Sequence, residues 1–488
     1  MGTVITFERP AKSYITVGVV PPAMNNIGPA TGGRKAHRRT NPPHRGNKPT
    51  HHESKPTWSK LTQRGFLEWK IPRPNQDDVL GEQLLPMVRT KDAPAEERTL
   101  FAEVGRRVEE AKKKLDSIPP KEFDKLSRAL DLYGPLRGRV RSMYNMSSPT
   151  NAALKMYELI VQMRLLVCES GPPTRIRAFC NAELPGAFIV AINHYMKTMC
   201  PATDFDWVGS SYYPEDAAAR GDVTIIGDVY GLYENNRERW LMGPPPNALP
   251  AGENPLSGDL TDANVVAALA DAVHTRFGGA TLYTSDAGID VSADFNRQEE
   301  LTALLNFGQV LCGLLSLAPG GHLVTKQYTF ITPFSRSLIA LVATFFDETY
   351  IVKPLTSRPA NSEVYVVGKG FTGIDSTLAN ALLERLAGYR AAPSNTTPCD
   401  WTPLLDPTMT SDVDAALLRI ARQLHEQQQV AFLNEAAGLY QEWEGRLDQL
   451  GHFLKHDAQR VQEAWLANNP VRRIRDDQQL QSKGFSKK

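Results

Sequence analysis

Five short segments carry residue types that can bind an anion, hold a ribose or move a proton, and each falls where an apolar run meets a polar turn. The first is Phe179–Phe188, FCNAELPGAF, at a strand end that opens a helix. Small residues there let the backbone approach a ligand, and a helix N-terminus attracts a carboxylate. Taken alone, a plain Pro-Gly turn fits the segment as well. The second is Gly258–Asp262, GDLTD, whose carboxylates suit an adenine amino group or ribose hydroxyls, or simply cap the next helix. The third and fourth, Tyr283–Gly288 and Leu323–Tyr328, set Asp286 and Lys326 where apolar strands reach their C-terminal loops. In open α/β sheets that edge binds ligands, and two charges on neighbouring strands are harder to dismiss than one. The fifth, Ile351–Val367, reads as a strand, a polar loop and a second strand opened by Glu363. Val/Tyr alternation makes it an antiparallel hairpin with a long connection.

The elements that must position these residues alternate along the middle of the chain. Strands are expected at Ile176–Cys180, Phe205–Ser210, Gly258–Asp262, Ala280–Asp286, His322–Gln327, Glu348–Lys353 and Glu363–Gly368. Helices are expected between them at Ala187–Thr198, Val265–Phe277, Arg297–Leu317 and Thr332–Phe346. The fold class is therefore α/β, a mostly parallel sheet with helices on both faces and one antiparallel hairpin strand. Upstream, apolar spacing predicts helices over Ala95–Ser117, Lys121–Tyr133 and from Thr150, as its cap, to about Cys168. Downstream, Asp412–Asn468 reads as one or two amphipathic helices that pack on the core or on a partner. The layout expected is a Pro/Gly/His-rich segment over 1–90, disordered or partner-bound, and a helical region over 91–172. The α/β domain follows over 173–372, then a second helical region over 373–470 and a basic tail over 471–488.

Composition narrows the function classes. Hydrophobic content of 41% and charged content of 22% are those of an ordinary globular protein. No run of eighteen apolar residues is present and the start, MGTVITFERP, is no signal peptide, so a cytoplasmic protein without a membrane is expected. The five cysteines, at 168, 180, 200, 312 and 399, include no CxxC pair. Structural zinc is thus not expected, and a reducing compartment is, with Cys180 and Cys312 as buried small hydrophobes. Net charge is +1, yet Arg34–Lys60 holds eight Lys or Arg against one Glu, and Arg472–Lys488 is basic again. Such ends are solvated tails or nonspecific phosphate contacts.

Taken in this order, the five segments resemble the FtsJ-like family of ribose 2′-O-methyltransferases. The hairpin KPLTSRPANSEVYVV is the most specific piece, and FCNAELPGAFIVAINHYMKT is similar to the viral and mRNA-cap branches of the family. SSPTNAALKMYELI adds an upstream piece typical of the cap enzymes; the likeness runs over about residues 120–372. The resemblance implies a Rossmann-like sheet, S-adenosylmethionine (SAM) as cofactor, no metal, and a lysine–aspartate–lysine–glutamate tetrad. Residue by residue the tetrad is Lys155, Asp286, Lys326 and Glu363, with Lys197 competing for the first place. The donor is implied to lie against Glu183, Leu184, Pro185, Gly186, Ala187 and Phe188, with Asp259 or Asp262 near its adenosine and Asp286 near its reactive end. Ala182 and Ala187 stand where the family has glycine, a departure tolerated in the viral and cap branches.

The implied partner is RNA, at a capped mRNA 5′ end, with capping or transcription subunits beside it and a viral factory or virion as the setting if the chain is viral. Lys326 is expected to orient the 2′-hydroxyl and help remove its proton, which needs a lysine pKa lowered by burial and by Lys155. Tyr212, Tyr213, Tyr230, Tyr233, Trp240 and Tyr328 are candidates for stacking on bases, although core packing is the commoner role of such residues. The stretch from Tyr212 to Pro255 is a candidate RNA-facing loop. Two other readings stay open: a ribosomal-RNA methyltransferase, and a non-catalytic RNA-binding or virion structural protein that keeps the fold.

Overall fold

The computed structural model describes residues 65–74, 84–90, 99–167, 175–212, 228–242, 256–289, 291 and 295–480. Four helices lead into the sheet. Thr99 caps α1 (Leu100–Lys113) by accepting from the Ala102 amide, and Pro120 opens α2 (Pro120–Leu130). Next come α3 (Leu136–Tyr144) and α4 (Asn151–Gln162), the latter capped by Thr150, which accepts from the Ala153 amide.

The sheet has seven strands: β1 (Leu67–Ile71), β2 (Arg175–Asn181), β3 (Asp204–Gly209), β4 (Ala280–Ser285), β5 (Leu317–Gln327), β6 (Phe346–Lys353) and β7 (Val364–Phe371). Their spatial order is β1-β6-β7-β5-β4-β2-β3. The pairs β3/β2, β2/β4 and β4/β5 are parallel, whereas β7 runs antiparallel to both β5 and β6. The chain leaves β2 toward β3 on one side and later returns to β4 on the other. That reversal opens a crevice at the C-terminal end of β2.

Alternation along the strands divides the core. Phe179, Leu323 and Val366 enter one layer, and Ala178, Val324 and Tyr365 the other. The first layer is covered by α6 (Ala263–Phe277), α7 (Gln298–Ser316) and α8 (Pro333–Thr344), joined by α9 (Ser376–Ala391) and α10 (Ser411–Ala421). The second is covered by α3, α4 and α5 (Ala187–Met199). Beyond α10 the helix continues with π-type bonding over Arg422–Gln429 into α11 (Val430–Trp443), followed by α12 (Leu447–Phe453) and α13 (Lys455–Asn468). A third cluster joins α2 to α11 and α12 through Leu126, Leu130, Phe432 and Leu450.

Four features differ from the sequence expectations. Gly258–Asp262 is a turn, not a strand: Gly258 has φ +78° and Asp262 caps α6. Leu67–Ile71, inside the segment expected to lack structure, is an edge strand paired antiparallel with β6. The tail begins as a packed strap: Ile474 is buried, its amide donates to the Tyr144 carbonyl, and Tyr157 donates to the Pro470 carbonyl. Arg34–Lys60 and the end of the chain after residue 480 lie outside the described residues. Cys180, Cys312 and Cys399 are free thiols, whereas Cys200 is disulfide-bonded, which a reading of five separate thiols does not anticipate.

Candidate functional site

The crevice at the strand ends is a cleft of about 570 Å³. Its wall comes from four neighbouring strand ends: Ala182–Pro185, Ala187 and Phe188 after β2, Ser211 and Tyr212 after β3, Asp286–Ile289 after β4, and Lys326 in the last residues of β5 with Tyr328 just beyond it. Thr150 and Ala152, at the start of α4, close the remaining side. A cavity of this size suits a ligand of a few tens of atoms.

The turn after β2 is held open by its backbone. Ala182 has φ +51° and Gly186 φ +103°. A Cβ on Gly186 would sit 2.0 Å from Leu232, so only glycine fits there. The Glu183 amide donates to the Ser210 carbonyl and the Leu184 amide to Ser211 Oγ, which ties this turn to the end of β3. Gly288 faces the other side of the cleft; a Cβ there would lie 3.0 Å from Lys326 Nζ and 3.2 Å from the Tyr328 hydroxyl. The space beside the lysine therefore exists because residue 288 has no side chain. Such a cradle, with apolar Leu184, Pro185 and Phe188 on one side and Asp286 on the other, fits a donor with an apolar body and a positive centre.

Glu183 has a role that its motif did not disclose. Its Oε1 accepts from the Phe188 amide at 2.7 Å and the Ile189 amide at 3.0 Å, so the N-terminus of α5 is capped by the chain's own carboxylate. The expected anchoring of a ligand carboxylate on those amides is thereby displaced. Burial drives the Glu183 carboxyl up to about 8, against the two amides that lower it.

The two carboxylates of the GDLTD segment do not line the cleft. Asp259 pairs with Arg390 of α9 at 2.9 Å and accepts from Thr261, while Asp262 caps α6 and lies 3.7 Å from Arg390. Their turn backs the cleft wall instead: a Cβ on Gly258 would lie 2.0 Å from the Ser211 carbonyl oxygen.

The charged residues of the tetrad converge. Lys155 Nζ lies 2.7 Å from Glu363 Oε1, and Lys326 Nζ donates to the Asp286 carbonyl at 2.8 Å with the carboxylate at 3.5 Å. Tyr365, from the register partner of Lys326 on β7, joins the two pairs. Its hydroxyl donates to Asp286 Oδ1 at 3.0 Å, and its ring lies 5.9 Å from Lys155 Nζ. Lys197 is excluded from this group by its place in the last turn of α5, whose first turn borders the cleft.

Sequence reasoning missed the supports. Ser357 in the hairpin loop donates to Glu363 Oε1 at 2.8 Å. Lys353 donates to the carbonyls of Asn361 and Glu363 at 2.6 and 2.5 Å, closing the loop on itself. Gln309 of α7 donates to the Lys326 carbonyl at 2.7 Å. A buried polar residue on an apolar helix face, as at Gln309, was the available signal.

Electrostatics revise the expected proton chemistry. Burial would raise the Glu363 carboxyl, but Lys155, Lys326 and Lys353 outweigh it and hold it down at about 2. Burial would likewise depress Lys326, yet Asp286, Tyr328 and Glu363 carry it above the ordinary lysine range. Lys326 is therefore an ammonium at neutral pH, and the expected lowering of its pKa is not what the site produces. Of the aromatic candidates, Tyr212 and Tyr328 line the cleft, while Trp240 is core, edge-on to Trp207 and Tyr233. Tyr213, the Pro244–Pro246 run and most of the 212–255 stretch lie outside the described residues.

The sequence model of the FtsJ-like methyltransferases matches residues 149–371. An African swine fever virus protein named as a probable methyltransferase is 37% identical over 355 residues, covering 72% of this chain and 77% of the relative. A mouse cap-specific mRNA (nucleoside-2′-O-)-methyltransferase 2 is 27% identical over 65% of this chain and 38% of the relative. Among solved structures, a Plasmodium falciparum protein described as a putative ribosomal RNA methyltransferase covers 46% of this chain and 99% of its own, at 13% identity and a TM-score of 0.27.

Proposed function

The chain belongs to the FtsJ-like methyltransferase family, and from that premise we propose that it transfers a methyl group from SAM to a ribose 2′-hydroxyl of RNA, on nucleotides beside an mRNA cap. The observation that carries the proposal is the convergence of Lys155–Glu363 and Lys326–Asp286 at the rim of the cleft. SAM, when bound, supplies an electrophilic methyl on a sulfonium. Glu183 to Phe188 would hold it on one side and Asp286, through its negative charge, at the reactive end.

What the protein must add is a placed nucleophile. Lys326, kept as an ammonium by Asp286 and Glu363, donates to the 2′-oxygen and offsets the negative charge that grows there as the hydroxyl proton passes to solvent water while the methyl moves from sulfur to oxygen. Asp286 and Tyr365 fix that ammonium, and Glu363 with Ser357 fixes Lys155 on the opposite side. Two fixed cations around one oxygen favour in-line geometry, so orientation carries more of the rate than basicity. The cap assignment is supported by the upstream helix α4, which delivers Lys155, and by the similarity to the mouse protein named as a cap-specific mRNA (nucleoside-2′-O-)-methyltransferase. A cytoplasmic site of action agrees with the viral relatives, and no helix among the described residues is long and apolar enough to cross a membrane.

The test is incubation with labelled SAM and either capped or uncapped RNA, followed by nuclease mapping of the modified ribose. Label on a 2′-oxygen near the cap, dependent on the cap, is the expected result. Lys326→Ala should retain donor binding and lower turnover about 10²–10³-fold, the usual cost of removing one charge-stabilising donor. Near-normal turnover in that variant would overturn the assignment.

A further inference from the structure

A second polar cavity, about 270 Å³, is lined by residues next in sequence to Tyr328 and Glu363. Two of its residues follow or precede site residues directly: Thr329 comes after Tyr328, and Ser362 comes before Glu363. One peptide unit, about 3.8 Å between Cα atoms, therefore separates each from the reaction centre. The opposite wall is α1, which contributes Arg106 and Lys112, and Asn296 and Gln298 form a third side.

The charges in this cavity are not equally engaged. Glu109 pairs with Lys113 at 2.7 Å and Glu300 with Arg297 at 2.9 Å. Glu299 accepts from the Ile331 and Thr332 amides and from the Thr332 hydroxyl, at 2.8–3.0 Å. Arg106 is held by Glu103 at 2.8 Å and by Glu110. The Lys112 ammonium makes no hydrogen bond or ion pair among the described residues, although α1 carries it into a partly buried position. Burial pulls its ammonium below the ordinary lysine range, with Glu109 acting the other way. A cation desolvated without a counter-ion is costly, and an incoming anion removes that cost.

We propose that this cavity is the RNA-backbone subsite of the enzyme, with Lys112 contacting a phosphate next to the target nucleotide and Thr329, Ser362, Asn296 and Gln298 as the surrounding polar contacts. The proposal rests on RNA being the substrate, and it names what presents that RNA to the tetrad. Lys112 lies on α1, upstream of the residues matched by the family, so the contact lies outside the family-matched residues.

Binding is measured on the full chain by fluorescence anisotropy, with a short labelled capped single-stranded RNA and S-adenosylhomocysteine present, across a salt series. Each phosphate contact adds about 0.7 to the slope of log affinity against log salt for a single strand. Lys112→Ala should lower that slope by about 0.7 and weaken binding about three- to tenfold near 0.1 M salt, while Lys112→Arg restores both. Lys114→Ala, which removes a residue bonded to Asn434 on the flank of α1, should change neither. Thermal stabilisation by S-adenosylhomocysteine, retained in Lys112→Ala, shows that the fold and donor cleft persist. A wild-type slope in Lys112→Ala, with RNA bound and methylated normally by the parent chain, overturns this subsite alone. Absence of any RNA binding by the parent chain overturns both this inference and the RNA-methyltransferase reading.

Discussion

At the scale of single residues, the site is governed by how burial and neighbouring charge oppose each other. Glu363 and Glu183 are both buried carboxyls, yet they move in opposite directions. Glu363 is surrounded by three lysines and held near 2, whereas Glu183, buried with two amides and the Asp286 charge but no cation to offset them, rises to about 8. The difference has a consequence for stability. In the unfolded chain Glu183 titrates near the ordinary 4.5, so between pH 4.5 and about 8 the folded protein holds a proton that the unfolded one has lost. Stability must then fall as pH rises through that window. Glu183→Gln keeps an oxygen for the Phe188 and Ile189 amides and removes the titration. The variant should match the parent near pH 5 and exceed it above pH 8, by at most ~5 kcal/mol at about 1.4 kcal/mol per pH unit. Urea unfolding at both pH values checks this; parallel losses of stability in parent and variant would show that another group sets the pH dependence.

At the scale of elements, α4 is the part that makes the tetrad a unit. One turn after Lys155 the same helix presents Glu158, fully buried, to the hairpin loop. Glu158 accepts from the Leu355 amide at 2.7 Å, from the Thr356 amide and hydroxyl at 3.3 and 3.0 Å, and from Trp465 Nε1 at 3.2 Å. From the other side, Gln429 at the end of the π-bonded turn donates to the Ala360 carbonyl at 2.8 Å and to Ser362 Oγ at 3.0 Å. The loop that carries Ser357 and leads to Glu363 is thus clamped at both ends. Glu158→Ala strands four buried donors and should cost about 3 kcal/mol or more. It should also lower turnover while leaving donor affinity near that of the parent, because the loop and not the donor cleft loses its anchor. Chemical denaturation together with single-turnover rates would decide, and an unchanged rate would mean that the loop keeps its place without Glu158. The sheet itself is legible in the sequence, since β2, β4, β5 and β7 are short apolar runs that recur at strand length between helical stretches. Gly258–Asp262 misled because its two carboxylates, at a presumed strand end, match a ribose site as well as they match a cap and an ion pair. The choice was made by Arg390, 131 residues away in sequence from Asp259. Leu67–Ile71 was hidden for a related reason: a five-residue edge strand in a polar, proline-rich stretch exists through pairing with β6, not through its own pattern. Lys155, Asp286, Lys326 and Glu363 were accessible through family likeness, whereas Tyr365, Ser357 and Gln309 are defined only by what they touch.

At the scale of the whole molecule, the family-matched residues 149–371 do not close their own core. The layer under β4 and β5 is completed by Leu382, Leu386 and Tyr389 of α9 and by Leu417 and Ile420 of α10. The opposite layer takes Trp465 from α13, and the strap that follows is pinned where Asn193 donates to the Gln478 carbonyl and His194 meets the Arg472 carbonyl. The downstream helices were expected to pack on the core or on a partner, and these contacts place them on the core. Five apolar side chains on the first layer alone, at about 1.5–3 kcal/mol each, amount to ~7–15 kcal/mol. That is comparable to the entire stability of an ordinary domain, about 5–15 kcal/mol. Loss of Arg390 would further free the Asp259 turn that backs the donor cleft, and loss of Gln429 and Trp465 would release the hairpin loop. A chain ended at residue 372 should therefore fail to form a cooperative native state, with far-UV helix and strand signal partly kept, near-UV signal lost and strong binding of a hydrophobic dye. A cooperative melt with donor binding in that shortened chain would show that the sheet closes without its C-terminal helices. If it fails as expected, the folded unit of this enzyme includes the helices that follow residue 372.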